Sequence, residues 1–347
     1  MVLSRQQPTP PAQSPAASED FGAGEVLRRI RQSYQESSGA GGGRQIQFHA
    51  LGTLCRLTLV GPPALTKDFT ERALLWVANF EAKYSRFLPG SLVSRINDHA
   101  GKEWVPLDLE AERLFALCHE LHFLSRGVLD ATVLPLLKLW NWKASPPVVP
   151  SDDQVRATLE RVGWRNVQRA PGRIFLPLEG MGLDLGGMGK EYAVDHVCLL
   201  ARQCGLSGAL VDFGADIRVT GLPPDGRPGW HIGLEDPRAP GRVWRGLAVR
   251  EAAVATSGNY FRQFEVNGVR YGHILDPRTG RPTTVDVTAV SIIAPSCTQA
   301  GLLSTSALVL GAVEGRQLID STPGAAGAIL TLTQIFHSRH FHEHIAS

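Results

Sequence analysis

Long apolar runs, paired cysteines and a strong charge of either sign are all absent from this sequence of 347 residues. No stretch approaches the roughly 20 apolar residues that a membrane helix needs, so we expect no membrane span. The formal net charge is only +2, with both signs interspersed, which argues against nucleic acid as a partner. None of the five cysteines forms a C-x-x-C pair, which favours reduced thiols over a disulfide framework or a zinc site.

The first residues lack the apolar segment of a secretory signal. The stretch "MVLSRQQPTPPAQSPAASEDFGAG" is instead rich in Pro, Ser, Gln and Ala. Such a composition cannot pack a core, so we expect disorder to about residue 22. Reduced cysteines and the missing signal together predict a cytoplasmic protein.

The composition itself, with 43% hydrophobic and 20% charged residues, is typical of a soluble globular protein. We expect residues 1–44 to form a flexible extension, in which "EVLRRIRQSYQESS" makes a short amphipathic helix and "GAGGGR" a flexible joint. The remaining residues, 45–347, are expected to form a single domain.

Hydrophobic periodicity assigns most of that domain. Four stretches with a period near 3.6 residues predict helices: "PALTKDFTERALLWVANFEAKYS", "DLEAERLFALCHELHFLSRG", "GKEYAVDHVCLLARQCG" and "APSCTQAGLLSTSALVLG". Alternation in "QIQFHALGTLCRLTLVG" predicts a bent strand or hairpin, and Asn267-Gly268 marks another hairpin among the short strands after residue 208. Strands and helices do not alternate regularly, so we predict an α+β fold with largely antiparallel sheets flanked by helices.

Two motifs carry chemistry of their own. "LDLGGMGKEYAVD" runs from a strand through a Gly-Gly turn into a helix, which suits an anion at the helix N-terminus; a tight structural turn is the competing interpretation. Lys190 opposes the helix dipole there and is easier to explain beside a phosphate. His273 in "RYGHILDPRTGRP" precedes a polar loop, so a titrating role competes with a structural one.

The order of the motifs resembles that of the ApbE family, the FAD:protein FMN transferases. The similarity runs through "YSRFLPGSLVSRIN", "LDATVLPLLKLWNW", "LDLGGMGKEYAVD", "LVDFGADIRVTG", "VATSGNYFRQFEVNGVRYGHILDPRTGRP" and "VSIIAPSCTQAGLLSTSALVLG". It implies a single α+β domain that holds flavin between two halves. It also implies transfer of FMN from FAD to a Thr or Ser hydroxyl of a target protein, with Mg²⁺ and release of AMP.

The resemblance also implies roles for individual residues. His273 matches the residue that activates the acceptor hydroxyl, and Lys190 one that contacts the flavin nucleotide and assists catalysis. Positions that match flavin contacts are Leu51, where the family usually has Met, Phe87, Val128, Leu129, Asp130, Asp184 and Leu275. Leu51 and Leu275 could equally be core residues, and Phe87 a packed aromatic.

The metal site implied by the resemblance departs from the family pattern. The family helix usually reads A-D-x-L-S/A-T-A, and its Asp and Thr bind Mg²⁺ from one helix face. Here "AGLLSTSA" keeps Ser304 and Thr305 but has Gly301 in place of the Asp, while Gly187 matches a residue that offers its carbonyl to the metal. Mg²⁺ normally needs one or two carboxylates besides substrate phosphates, and Asp212, which replaces the usual Asn, is a candidate substitute.

The missing Asp leaves three functions open: an FMN transferase, an FAD-binding protein without transfer, and a hydrolase that splits FAD into FMN and AMP. The acceptor implied by the resemblance carries an Asp/Ser-Gly-x-x-Ser/Thr segment. Separately, "HSRHFHEH" would place His340, His342 and His344 on one face of a terminal strand. An exposed strand is favoured there over a metal site.

Overall fold

The computed structural model of the chain describes residues 21–239, 241–259, 263–283 and 286–346. The predicted disorder of the first residues, as well as parts of "SGNYFR" and "RPTTVD", lies outside these ranges. Within them the α-helices are α1 (Ala23–Gln32), α2 (Pro63–Tyr84), α3 (Leu92–Asp98), α4 (Leu109–Leu124), α5 (Leu134–Leu139), α6 (Asp152–Leu159), α7 (Gly189–Gln203), α8 (Cys297–Leu310) and α9 (Ala312–Ser321).

The strands lie mostly in the first quarter and the second half of the chain. They are β1 (Gln35–Ser38), β2 (Arg44–Ala50), β3 (Thr53–Val60), β4 (Val105–Pro106), β5 (Gln168–Ala170), β6 (Arg173–Phe175), β7 (Gly208–Phe213), β8 (Ile217–Gly221), β9 (Trp230–Glu235), β10 (Val243–Val249), β11 (Ala253–Gly258), β12 (Gln263–Val266), β13 (Val269–Gly272), β14 (Leu275–Asp276), β15 (Arg281–Pro282), β16 (Val287–Ala294), β17 (Ala326–Thr331) and β18 (Ile335–His337). In the described ranges, no helix combines the length and the apolarity that crossing a membrane requires.

A long sheet in the order β1-β2-β3-β7-β8-β11-β16-β17-β18 organises the fold. Each neighbouring pair in it is antiparallel. The predicted α+β class with antiparallel sheets is therefore confirmed. The predicted hairpins are present too: β2 and β3 join through Leu51 and Gly52, both with positive φ, as tight hairpin turns require.

Both faces of the sheet are covered. Along β16, Val290 and Ile292 face the layer of α8 and α9, whereas Ala289 and Ile293 face the layer that contains the β9–β10 hairpin. This alternation is the period of two that a strand imposes on its side chains. At the other half of the sheet, α1, α2 and α7 bury the apolar faces of β2, β3 and β7 in the main core.

The N-terminal boundary of the domain differs from the expected one. The short amphipathic helix is present as α1, but Val26 and Ile30 are buried in the main core and β1 pairs with β2. The glycines after β1 do not form a flexible joint. They let the backbone pass close to Pro224, because a Cβ on Gly41 would lie 2.5 Å from the carbonyl oxygen of Pro224. Residues 23–44 thus belong to the folded unit, and a domain start at residue 45 is wrong for the described part of the chain.

The C-terminal end also differs. Residues Phe341–His344 form a 3-10 helix instead of a strand, because the chain turns after β18 and inserts Phe341 into the core. His340, His342 and His344 therefore do not share the strand face that alternation predicted. His340 instead contacts the carboxylate of Glu343 at 2.8 Å.

Candidate functional site

Several of the predicted site residues meet at one end of the long sheet. The turn after β7 lies beside the start of β3, since the N–H of Gly214 donates to the carbonyl oxygen of Leu54 at 3.2 Å. Strand β11 pairs with β8 only at Arg218 and Ile217 and continues beyond the start of β8. The turn at residues 51–52, the turn at residues 214–216 and the end of β11 are consequently neighbours at this end.

The turn between β2 and β3 holds Leu51 in an unusual backbone conformation. Its φ is +53°, which is uncommon for a residue with a branched side chain. Its N–H donates to Oε2 of the buried Glu81 at 2.9 Å, and Arg29 pairs with the same carboxylate. The side chain is half-buried and packs on the main core, so both the core and the flavin-contact interpretation of Leu51 remain.

Phe87 and Asp184 lie on either side of one arginine. Arg86 forms an ion pair with Asp184, and its guanidinium carbon stands 4.0 Å from the centre of the Phe87 ring. Asp184 also accepts a hydrogen bond from the N–H of Gly186 at 2.6 Å, which fixes the Gly-Gly turn. The Phe87 side chain is 75% exposed, so it is not the packed aromatic of the bland interpretation and is open to stack on a planar ligand.

The segment Val128–Asp130 lies against this turn but is buried. The N–H of Asp184 donates to the carbonyl oxygen of Ala131 at 2.8 Å. The Asp130 carboxylate accepts from Thr132 and from the N–H of Trp164 at 2.9 Å. Burial raises the pKa of Asp130, but the His122 ring, whose Nδ1 lies 3.2 Å from Oδ2, and the hydrogen bonds from these groups outweigh it and hold that pKa below its usual value. Asp130 therefore stabilises the loop, and only the segment's outer atoms can contact a ligand.

Lys190 follows the Gly-Gly turn, in the first turn of α7. Its ammonium group pairs with the buried Asp216 of the β7–β8 turn. Burial lowers the pKa of Lys190, but the Asp216 and Glu191 carboxylates raise it more, so the group stays charged. Asp216 was not predicted from the sequence, although it belongs to the acidic turn "VDFGAD".

His273 and Leu275 occupy the segment between β13 and β14. His273 is half-buried. Asn259, the residue after β11, lies against Gly272 and donates to the hydroxyl of Thr283 at 2.8 Å, which ties this segment to the end of β11. Leu275 is buried in a separate apolar cluster with residues of α5 and α6, so the structure places it in a core and gives it no exposed face for flavin.

The hydroxyl groups of α8 meet a third hydroxyl from β11. The Oγ of Ser257 lies 2.9 Å from the Oγ of Ser304 and 2.9 Å from the Oγ1 of Thr305. The Ser304 hydroxyl also donates to the carbonyl oxygen of Gly301 at 3.1 Å. We call Ser257, Ser304 and Thr305 the hydroxyl cluster. Ser257 was missed by the sequence analysis; its place in "VATSG" at the end of a predicted strand was the available signal.

Gly301 faces a carboxylate from the neighbouring helix α7. A Cβ built on Gly301 would lie 2.8 Å from the Cγ and 3.0 Å from the Oε1 of Glu191. Glu191 is only 7% exposed, and its Oε2 is buried without a hydrogen-bond partner among the described residues. Burial and the Asp216 carboxylate raise the pKa of Glu191 to about 7, against a smaller lowering by Lys190.

Asp212, the candidate substitute for the missing acid, is already engaged elsewhere. It accepts from the N–H of Ala215 at 2.8 Å and pairs with Arg56 at 3.3 Å. The three atoms nearest to a Cβ on Gly301 all belong to Glu191, not to Asp212. In the described ranges, no group of three or more His, Cys, Asp or Glu residues is arranged to hold a metal ion. A cation here would therefore need hydroxyl, carbonyl or ligand oxygens as well.

A groove of about 850 Å³ lies elsewhere, between α4, α7, α8 and α9. Leucines from all four helices line it, together with Tyr192 and His196 of α7. None of the predicted flavin contacts is among its lining residues. The size of this groove is therefore no guide to the site, which is defined by the convergent polar groups at the end of the sheet.

Comparison with known proteins points in one direction. A family model described as the ApbE family matches residues 51–330. The FAD:protein FMN transferase of Treponema pallidum (strain Nichols) is 33% identical over 294 residues, which cover 79% of this chain and 80% of that protein. The enzyme of the same name from Vibrio cholerae is 32% identical over 276 residues, 78% of this chain and 82% of that protein.

Comparison with solved structures also finds ApbE proteins. The crystal structure of an ApbE protein from Thermotoga maritima superposes with a TM-score of 0.79 at 32% identity, covering 90% of this chain and 100% of that one. The flavin transferase ApbE from Vibrio cholerae gives a TM-score of 0.77 at 25% identity, with 90% and 99% covered.

Proposed function

Since the chain belongs to the ApbE family, we propose that it moves the FMN half of FAD onto a Thr or Ser hydroxyl of an acceptor protein and releases AMP. As a member of that family the protein is a transferase that acts on flavin. The acceptor residue, the release of AMP and the dependence on Mg²⁺ are parts of the proposal. The expected acceptor carries an Asp/Ser-Gly-x-x-Ser/Thr segment.

The observation that carries the proposal is the group of charges at the N-terminus of α7. A charged Lys190 follows a Gly-Gly turn whose backbone is fixed by Asp184. Backbone N–H groups at a helix N-terminus and a cation beside them bind phosphate. The Arg86–Asp184 ion pair connects the exposed ring of Phe87 to the same turn, which supports a flavin ring stacked near a bound pyrophosphate.

The reaction needs one proton acceptor and stabilisation of negative charge. The acceptor oxygen forms a bond to the FMN phosphorus, the bond from that phosphorus to the bridging oxygen breaks, and AMP leaves with that oxygen. His273 takes the hydroxyl proton as general base. Lys190, which pairs with Asp216, would offset charge that develops on the phosphate oxygens.

A divalent cation fits the residues beside α8. Close to Gly301, a buried carboxylate oxygen of Glu191 has no hydrogen-bond partner among the described residues, and Ser304 and Thr305 supply hydroxyl oxygens from the next turn of α8. Ser304, Thr305 and the carbonyl of Gly187 would hold Mg²⁺ together with phosphate oxygens of FAD. When bound, the ion would neutralise pyrophosphate charge and assist departure of AMP.

The test compares the three functions that the sequence left open. The protein is incubated with FAD, Mg²⁺ and an acceptor that carries the expected segment, and the mixture is separated on a denaturing gel and by chromatography. A fluorescent acceptor band with equimolar AMP is the expected result. Free FMN and AMP without a labelled acceptor would identify a hydrolase, and unchanged FAD a flavin carrier; either would overturn the proposal.

A further inference from the structure

The gap left by Gly301 is occupied by Glu191, which comes from a different helix. We propose that Glu191 supplies the carboxylate of the Mg²⁺ site, in place of an acidic residue at position 301. The inference rests on the proposed function, because the pyrophosphate of FAD would complete the coordination. It assigns to this chain a metal ligand that its α8 motif does not contain.

The burial of one Glu191 carboxylate oxygen favours a bound cation. Glu191 is 7% exposed and its Oε2 has no hydrogen-bond partner among the described residues. The ammonium group of its neighbour Lys190 pairs with Asp216 and makes no hydrogen bond to this oxygen. A buried carboxylate oxygen without a partner is costly, and a bound cation would remove that cost.

The position of Glu191 relative to α8 also favours its role as a metal ligand. Residues three and four apart share a helix face, so Gly301 lies on the same face of α8 as Ser304 and Thr305. The carboxylate that touches Gly301 is therefore directed towards that face, with its Oε1 3.0 Å from where a Cβ of residue 301 would be. One carboxylate, two hydroxyls and substrate phosphates form a ligand set of the kind that Mg²⁺ accepts.

Two other acidic residues of this region, Asp195 and Asp216, already have partners. Asp195 accepts from the N–H groups of Cys297 and Thr298 at 2.8 and 2.9 Å and pairs with Arg218. Asp216 pairs with Lys190. Among these carboxylates Glu191 alone has a fully buried oxygen without a hydrogen-bond partner in the described part of the chain.

The test measures metal binding directly. Mn²⁺ is titrated into the protein with and without FAD, and free Mn²⁺ is followed by electron paramagnetic resonance. The variants are Glu191→Gln, Glu191→Gly and the exchange Glu191→Gly/Gly301→Asp, with Glu120→Gln as the matched control on an exposed position of α4. Melting temperatures recorded without metal show which variants fold.

Loss of a coordinating carboxylate should weaken Mn²⁺ binding by about 10-fold or more in Glu191→Gln and Glu191→Gly. The exchange variant should bind Mn²⁺ within about 3-fold of the wild type, a difference of under 1 kcal/mol, and Glu120→Gln should match the wild type. If Glu191→Gln does not fold, the contrast between Glu191→Gly and the exchange variant carries the test.

The inference is overturned if folded Glu191→Gln binds Mn²⁺ as tightly as the wild type, if the exchange variant binds no better than Glu191→Gly, or if the wild type binds no Mn²⁺ under either condition. The proposed function fails separately, by absence of FMN on the acceptor. A wild type that binds Mn²⁺ through Glu191 but transfers nothing would keep the metal site and refute only the transferase.

Discussion

The contact between Gly301 and Glu191 predicts a strong coupling between two substitutions. Gly301→Ala places a Cβ 2.8 Å from the Cγ of Glu191, well inside the 3.5–4.0 Å at which carbon atoms attract. Because Glu191 is buried, its side chain cannot simply swing into solvent. Overpacking of this kind costs about 1–3 kcal/mol, and the higher helix propensity of Ala returns about 1 kcal/mol. The net expectation is a loss of about 0–2 kcal/mol in the free energy of unfolding.

The effect of Gly301→Ala on stability should change sign when Glu191 is shortened to alanine. In a Glu191→Ala background the atoms that crowd position 301 are gone, so Gly301→Ala should stabilise by about 1 kcal/mol. The coupling free energy of the cycle is therefore about 1–3 kcal/mol. Urea unfolding of the four proteins measures it.

The matched control is Gly24→Ala in α1, where a Cβ meets nothing within 4 Å. That substitution should have the same effect, a gain of up to about 1 kcal/mol, in both backgrounds. If Gly301→Ala also gave the same effect with and without Glu191, the two residues would not be packed together. The explanation that residue 301 is a glycine because Glu191 occupies the space of its Cβ would then be refuted.

Three further predictions concern the site. His273→Ala should keep FAD affinity, measured by calorimetry, and lower the transfer rate on the order of 10²-fold; an equally active variant would assign the base elsewhere. Phe87→Ala should weaken FAD binding about 10-fold through lost stacking, while the 75% exposure of Phe87 predicts unchanged thermal stability. Unchanged affinity would exclude the ring as a flavin contact. Ala215 has a φ of +71°, so Ala215→Gly should raise the free energy of unfolding by about 0.5–1 kcal/mol because it relieves left-handed strain. A lower urea midpoint for this variant would contradict the prediction.

Local signals predicted the fold class and most of the long elements. The Asn267-Gly268 pair forms the expected turn between β12 and β13, with φ of +51° and +77°. Gly205 follows α7 with φ +75°, as a helix-ending glycine does. Both features depend only on the backbone conformations that one or two residues can adopt, so they can be predicted from residue type alone.

Contacts between distant segments could not be predicted in this way. Nothing in "EVLRRIRQ" indicates that α1 would find an apolar face of the main core rather than remain exposed, because amphipathicity does not name the partner surface. The same holds for the C-terminal histidines, where insertion of Phe341 into the core overrides the alternating pattern. Asp130 and Leu275 matched flavin positions by resemblance, yet their own hydrogen bonds and packing explain them without a ligand.

Under the proposal for Glu191, a glycine at position 301 does not by itself indicate a lost metal site. A metal ion responds to the oxygen atoms around it, not to the chain segment that delivers them. Glu191 lies in the first turn of α7, where the helix dipole favours a carboxylate, and its side chain reaches across to α8 only because residue 301 has no Cβ. The glycine and the glutamate are thus two halves of one arrangement, and neither residue alone indicates whether the site can hold a cation. The sequence of α8 alone indicates that a carboxylate ligand is missing at position 301. The packing of α7 against α8, however, places the carboxylate of Glu191 beside that position.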